Sequence, residues 1–150
     1  MIRIDGPAWQ AMLDHAIAAY PRECCGILIG AETAAGERFV RRAVLLTNAY
    51  EGDQSDRFEI APKDQLRADR EARAESLDVL GFFHSHPDHG MYFSATDLKH
   101  SWPWYSNVVL SIRQGVFDTA GSFRANDSQT EAVPEELVWP ECKVDGCKVD

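Results

Sequence analysis

Residues 77–97 read LDVLGFFHSHPDHGMYFSATD, and this stretch decides how the chain is read. Leu77 to Ser85 is an apolar run of strand length that runs into His86 and Pro87. The missing proline N–H is expected to disfavour further central pairing there. Side chains alternate along a strand, so His84 and His86 share a face, about 7 Å apart along the backbone, and can converge on one point. The loop from Asp88 to Phe93 is long enough to fold back. It leads into a short helix predicted near Ser94 to Ser101, which can turn Asp97 toward the histidines.

Working outward, Pro7 stands where a first helical turn tolerates proline, and Trp9, Met12, Leu13, Ala16, Ile17 and Tyr20 follow at helical spacing. Pro21 ends that helix. Cys24 to Gly30 is apolar and bounded by glycines, as a buried strand would be, which puts Glu23 at a helix-to-strand junction. A short alternating start at Ile2 to Ile4 and a second extended stretch at Glu37 to Thr47 precede a polar loop, Asn48 to Asp56, expected to be mobile. Phe58 to Ile60 reads as a short strand. Pro62 opens a charged surface helix to Ser76, and strands are expected near Val108 to Ile112 and Gly115 to Phe123. The reading is one catalytic domain over residues 1–125 and a polar C-terminal tail over 126–150, partly packed or disordered.

Two imidazoles and a carboxylate suit zinc, whose catalytic sites keep three protein ligands and one open position. His84, His86 and Asp97 are the candidate ligands. Proton transfer during hydrolysis then needs a base, and Glu23, at the mouth of a buried strand and partly desolvated, is the candidate. The Ser94 hydroxyl is placed to hydrogen-bond a developing oxyanion. Each residue has a plainer reading in isolation. Strand-end histidines are often structural, Ser94 to Asp97 is also a capping-box pattern, and a lone glutamate is ordinarily a solvated charge.

The combined pattern is Glu23, then His84-Ser85-His86-Pro87, six residues, Ser94, two residues and Asp97. It resembles the complete motif of the JAMM (MPN+) metalloproteases in order and spacing. The resemblance extends to Pro21-Arg22-Glu23-Cys24-Cys25-Gly26, Gly30 and the Asn48 region, and so covers the chain up to Arg124. It implies an α/β fold, a curved mixed β-sheet flanked by helices in a cytidine-deaminase-like sandwich. It also implies one zinc ion per chain on His84, His86 and Asp97, Glu23 as acid/base, and Ser94 stabilising the oxyanion. The implied reaction is hydrolysis of a peptide or isopeptide bond after the C-terminal glycines of a ubiquitin-like protein. A compact single-domain member resembles the prokaryotic proteins that trim extensions from ubiquitin-like sulfur carriers. The competing expectation is a non-catalytic MPN scaffold in a multiprotein complex, although such relatives typically lack metal-site residues that this chain has. The substrate tail is expected to add as a strand to an exposed sheet edge beside the site.

Composition narrows the partners. With 24 acidic against 15 basic residues the formal net charge is -9, which argues against nucleic acid and anionic membrane surfaces. No stretch has the length and apolarity of a membrane span, so a cytoplasmic protein is expected, with a homodimer left open. The four cysteines, Cys24, Cys25, Cys142 and Cys147, do not form a secreted disulfide framework. Cys25 reads as a buried hydrophobe, while Cys24 stays open because it borders Glu23. Cys142 and Cys147 alone cannot complete a four-ligand zinc site. A zinc deaminase would need His-x-Glu with Pro-Cys-x-x-Cys, and a zincin His-Glu-x-x-His; the sequence has neither. His15, His89 and His100 fall outside the motif, with His15 expected on the polar face of the first helix. Trp102, Trp104 and Tyr105 read as core packing more readily than as a binding platform. Met91, Tyr92 and Phe93 are expected to shield the site and grip a peptide.

Overall fold

The computed structural model describes residues 1–140; Cys142 and Cys147 lie outside the described residues. Strand β1 (Ile2–Ile4) leads into helix α1 (Gly6–Ala19), whose first turn is capped by Asp5, the Asp5 Oδ1 accepting from the Ala8 N–H at 3.2 Å. Strands β2 (Cys25–Glu32) and β3 (Arg38–Leu46) follow as an antiparallel pair, then helix α2 (Pro62–Ala74) and strand β4 (Asp78–Pro87). Helix α3 (Ala95–Lys99) precedes β5 (Ser106–Arg113), β6 (Val116–Ala125), β7 (Ala132–Glu135) and β8 (Leu137–Val138). The eight strands form one mixed sheet in the order β7-β6-β5-β4-β2-β3-β1-β8, with β4 and β5 parallel and β2 antiparallel to both its neighbours.

Strand alternation gives this sheet two apolar faces. On one, Trp9, Met12 and Ala16 of α1 pack with Leu28, Phe83 and Leu110. On the other, Ala68 and Ala72 of α2 pack with Cys25, Ile27 and Ile29. Each fully buried large side chain contributes on the order of 1.5–3 kcal/mol, so both helices are held chiefly by these faces. Phe82 belongs to the α2 face and Phe83 to the α1 face. His84 and His86, in step with Phe82, therefore emerge on the α2 face at the end of a central strand. The strand can lie this close to β5 because position 81 is glycine: a Cβ there would fall 1.9 Å from the Ser106 carbonyl oxygen.

Four expectations are corrected here. Pro87 does not end the pairing of β4, for it pairs with Ile112 and the next residue, Asp88, donates to the Ile112 carbonyl at 2.7 Å. The direction of its missing N–H explains this. Ser85 donates toward β2, to the Cys24 carbonyl, and Pro87, two residues on, faces the same side. Opposite Pro87 β2 has not yet begun, since its first residue, Cys25, pairs with His84, so no β2 acceptor is left without its donor. Phe58–Ile60 forms no strand; the segment lies outside the sheet, with Glu59 held by Asn48 and Ala49. β-propensity without a neighbouring strand leaves it as extended coil. The loop from Asn48 is pinned: Gln54 Nε2 donates to the carbonyls of Asn48 and Tyr50 at 3.1 and 2.8 Å. Finally, among the described residues the sheet edges are β7 and β8, whereas β4 is flanked on both sides, so no edge strand lies beside the histidines there.

Beyond Ala125 the chain returns to the sheet through β7 and β8, and Trp139 stacks on Trp9 at 5.1 Å between ring centroids. Among the described residues no helix is long and apolar enough to cross a membrane.

Candidate metal centre

His84 is buried on β4 with its ring sandwiched against Phe58, 4.5 Å between centroids and 23° between planes. His86 follows on the same face, and its Nδ1 donates to the Gly90 carbonyl at 3.0 Å. That bond places the proton on Nδ1 and leaves the Nε2 lone pair directed at the site, the usual arrangement for a ligating imidazole. Gly90 is in turn held by its neighbours: the Asp88 carboxylate accepts from the Tyr20 hydroxyl and the Gln114 N–H, and Ser111 Oγ donates to the His89 carbonyl.

Asp97 is oriented by the start of α3. Ser94 Oγ accepts from the Asp97 N–H at 3.0 Å while Asp97 Oδ2 accepts from the Ser94 N–H at 3.0 Å, a complete capping box. The same Oδ2 lies 3.1 Å from His84 Nε2 and 3.5 Å from His86 Nε2. The capping role and the site role thus coexist in one oxygen. His84 Nε2 and His86 Nε2 are themselves 3.1 Å apart. Four-coordinate zinc with bonds of roughly 2.0–2.2 Å at tetrahedral angles sets its ligand atoms about 3.3–3.6 Å apart, and the three donors, at 3.1, 3.1 and 3.5 Å, stand close to that spacing. Glu23, 4% exposed, brings its carboxylate within 4.8 Å of both imidazoles.

Burial lowers the His84 pKa and keeps its ring neutral, as a ligand must be. Burial works against the Asp97 charge, yet His84, His86 and the Ser94 N–H hold its carboxyl well below the usual range. For His86 burial is outweighed by Asp97 and the Gly90 carbonyl, which raise it. Glu23 has no such partner. Burial, opposed by His86 and reinforced by Asp97 and Asp56, pushes it up to about 8.

A groove of about 420 Å³ opens beside Asp97, walled by Arg57, Phe58, Ile60, Phe93 and Trp102. Tyr92 lies against His86 with centroids 4.9 Å apart, and Phe93 stacks on Phe123. The core reading of the tryptophans is overturned. Trp102 and Trp104 are 54% and 56% exposed and stack on each other at 5.3 Å, while Tyr105 alone turns inward, edge-on to Phe82. His15 is likewise more than a polar-face residue, its Nε2 lying 3.2 and 3.0 Å from the carbonyl oxygens of Cys25 and Leu46. His100 lines the groove.

Sequence reasoning missed Phe58, Gly90, Asn48 and Gln54. Three of these act through backbone atoms or through a ring face, and their residue types carry no signal for either. The question about Cys24 closes: it is buried, its N–H donates to Ser85 Oγ, and burial pushes its thiol up to about 11 and that of Cys25 up to about 12. A nucleophilic thiolate would need the opposite shift. Iodoacetamide at pH 8 is expected to leave Cys24 and Cys25 unlabelled in the folded protein and to modify both in urea, read by peptide mass spectrometry; fast native labelling of Cys24 would contradict its burial.

The family profile described as prokaryotic homologs of the JAB domain matches residues 6–126. A desampylase from Haloferax volcanii is 32% identical over 92 residues, which span 61% of this chain and 63% of that protein. A desampylase from Pyrococcus furiosus is 40% identical over 65 residues, 43% of this chain and 41% of that one. The matched spans are therefore less than two thirds of either relative. Among solved structures, a Desulfitobacterium hafniense protein superposes with a TM-score of 0.80 at 29% identity, covering 93% of each chain. A Salinibacter ruber protein gives 0.69 at 31% identity, covering 97% of this chain and 96% of that one. A JAB1/MPN domain protein from Archaeoglobus fulgidus shares the fold at 0.56 and 16% identity, over 94% of this chain and 98% of that one.

Proposed function

From the premise that the chain belongs to the prokaryotic homologs of the JAB domain, we propose that it is a zinc-dependent isopeptidase or peptidase. Its substrate is a ubiquitin-like protein, cut after the C-terminal glycines, and the favoured substrate is a sulfur carrier bearing a C-terminal extension. One observation carries the reading: two imidazole nitrogens and a carboxylate oxygen converge within 3.1–3.5 Å, with a buried glutamate alongside. The partial matches to two desampylases support the same class of chemistry.

In this reading His84, His86 and Asp97 hold the ion. When bound, it supplies Lewis acidity, polarising the scissile carbonyl and lowering the pKa of water. Glu23 takes a proton from the attacking water and delivers it to the leaving nitrogen, a role that suits a carboxylate whose burial has moved its pKa toward neutrality. Ser94 Oγ already accepts from the Asp97 N–H, so its own proton is free to be donated to the oxyanion. The apolar groove walled by Phe58, Ile60 and Phe93 takes the extended tail, with the coil at residues 57–60 offering backbone groups outside the sheet. Glycines at the cut leave room for the substrate beside the Phe58 and Tyr92 rings that lie against His84 and His86.

Zinc-loaded protein should be incubated with ubiquitin-like sulfur carriers bearing C-terminal extensions, with and without chelator, and the products read by intact mass. A chelator-sensitive cut after the terminal glycine is expected. Bound zinc with no cleavage of any such carrier would sink the substrate assignment, and failure to bind zinc would sink the chemistry.

A further inference from the structure

The amide of Asn48 makes four hydrogen bonds, and they reach two segments that flank candidate site residues, at Glu23 and at Arg57 to Glu59. Its Nδ2 donates to the Glu23 carbonyl at 3.2 Å and to the Arg57 carbonyl at 2.9 Å. Its Oδ1 accepts from the N–H groups of Tyr50 and Glu59, each at 3.0 Å. Glu23 is thereby tied to the loop through both of its backbone groups, because its N–H donates to the Gln54 carbonyl at 2.7 Å and Gln54 is itself bonded back to the Asn48 carbonyl. In the other segment, Arg57 and Glu59 bracket Phe58, the ring that stacks on His84 and walls the groove. Glu23 precedes the first residue of β2 and is not itself in the sheet ladder. The loop therefore holds the Glu23 backbone through both its N–H and its carbonyl.

We infer that Asn48 is a positioning residue: one side-chain amide fixes the Glu23 backbone and the Arg57–Glu59 groove wall in a single register, so that base and substrate path are placed together over the metal centre. This rests on the function proposed above. It adds that the loop beginning at Asn48 is part of the catalytic apparatus, although none of its residues is a candidate ligand. The physical argument is one of tolerance. A proton-transferring carboxylate works only within hydrogen-bond reach of its partner, and displacement by about 1 Å can cost on the order of 10²-fold in rate.

Asn48→Asp separates this role from simple loop capping. The aspartate keeps an oxygen to accept from Tyr50 and Glu59 but has no N–H for Glu23 and Arg57. In the zinc-loaded chain of residues 1–150 the expected result is a single-turnover rate lower by roughly 10–100-fold, with KM little changed and zinc content equal to wild type. Hydrogen exchange should show faster exchange at the Glu23 amide while Tyr50 and Glu59 stay protected. Asn48→Ala should expose all three amides and lower the rate at least as far. A wild-type rate in Asn48→Asp, unchanged protection at Glu23, or loss of zinc from that variant would each overturn the assignment. If the wild-type protein cleaves no carrier, the functional reading fails, and the exchange pattern still decides whether Asn48 couples the two segments.

Discussion

Glu23→Gln is expected to bind zinc as well as wild type and to lose turnover by about 10²–10⁴-fold, the usual contribution of a positioned general base. The proposed ligands are untouched, since His84, His86 and Asp97 meet one another directly. The amide has nearly the same shape, and what it lacks is a site to take a proton. The same substitution carries a stability signature. In the metal-free protein the folded Glu23 pKa is about 8 against an ordinary 4.5. Between those values the native state holds a proton that the unfolded chain has released, so stability falls as pH rises. The contribution is fully present below about pH 4.5 and is gone above pH 8. Glutamine does not titrate, and chelator-treated Glu23→Gln should therefore gain on wild type by a few kcal/mol, at the order-of-magnitude level, between pH 5 and pH 8.5. Urea unfolding at the two pH values measures it. Equal turnover in the variant would remove Glu23 from the mechanism, and parallel pH curves would show that its burial carries no charge penalty.

How far the site could be read from sequence follows from how each residue acts. His84 and His86 were legible because strand geometry alone puts positions two apart on one face. Asp97 could be read two ways, as a proposed ligand by spacing and as a capping-box acid; the structure shows the cap, and the same Oδ2 lies 3.1 Å from His84 Nε2. Glu23 had meaning only within the whole pattern. Asn48 reaches Glu23 across 25 positions and does so through a carbonyl, which no residue type announces. Gly90 likewise contributes only a backbone oxygen. The errors have physical causes as well. Phe58–Ile60 has strand composition, but a strand needs a neighbour and the nearby chain offers only Asn48 and Ala49. Hydrophobicity alone reads Trp102 and Trp104 as core, whereas they stack on each other at the surface, Trp102 at the groove wall. The fold itself was clearer than its details, since helix and strand periods separate well over the long elements and poorly over segments of three residues.

His84→Ala is expected to abolish both zinc binding and cleavage, and the two losses have one cause. Its Nε2 is the hub of the cluster, 3.1 Å from His86 Nε2 and 3.1 Å from Asp97 Oδ2, so its removal leaves two ligands that cannot close a tetrahedron with protein atoms. Phe58 would lose the ring it stacks on, and truncating a large buried side chain costs on the order of 2–5 kcal/mol on its own. Destabilisation alone would also reduce activity, which makes thermal unfolding with and without zinc the deciding measurement. An ion that binds only the folded state stabilises by about 4 kcal/mol at a free concentration a thousand times its Kd. Wild type should therefore show a Tm that climbs with zinc, whereas His84→Ala should start lower and stay flat. Asp97→Asn sharpens the comparison: it keeps a side chain able to cap α3 but replaces the charged ligand with a neutral amide. Its metal-free Tm should fall at neutral pH, because the charge that His84, His86 and the Ser94 N–H hold is lost, and its zinc response should weaken as well. A zinc-dependent rise in His84→Ala equal to that of wild type would place the ion elsewhere, whatever the activity did.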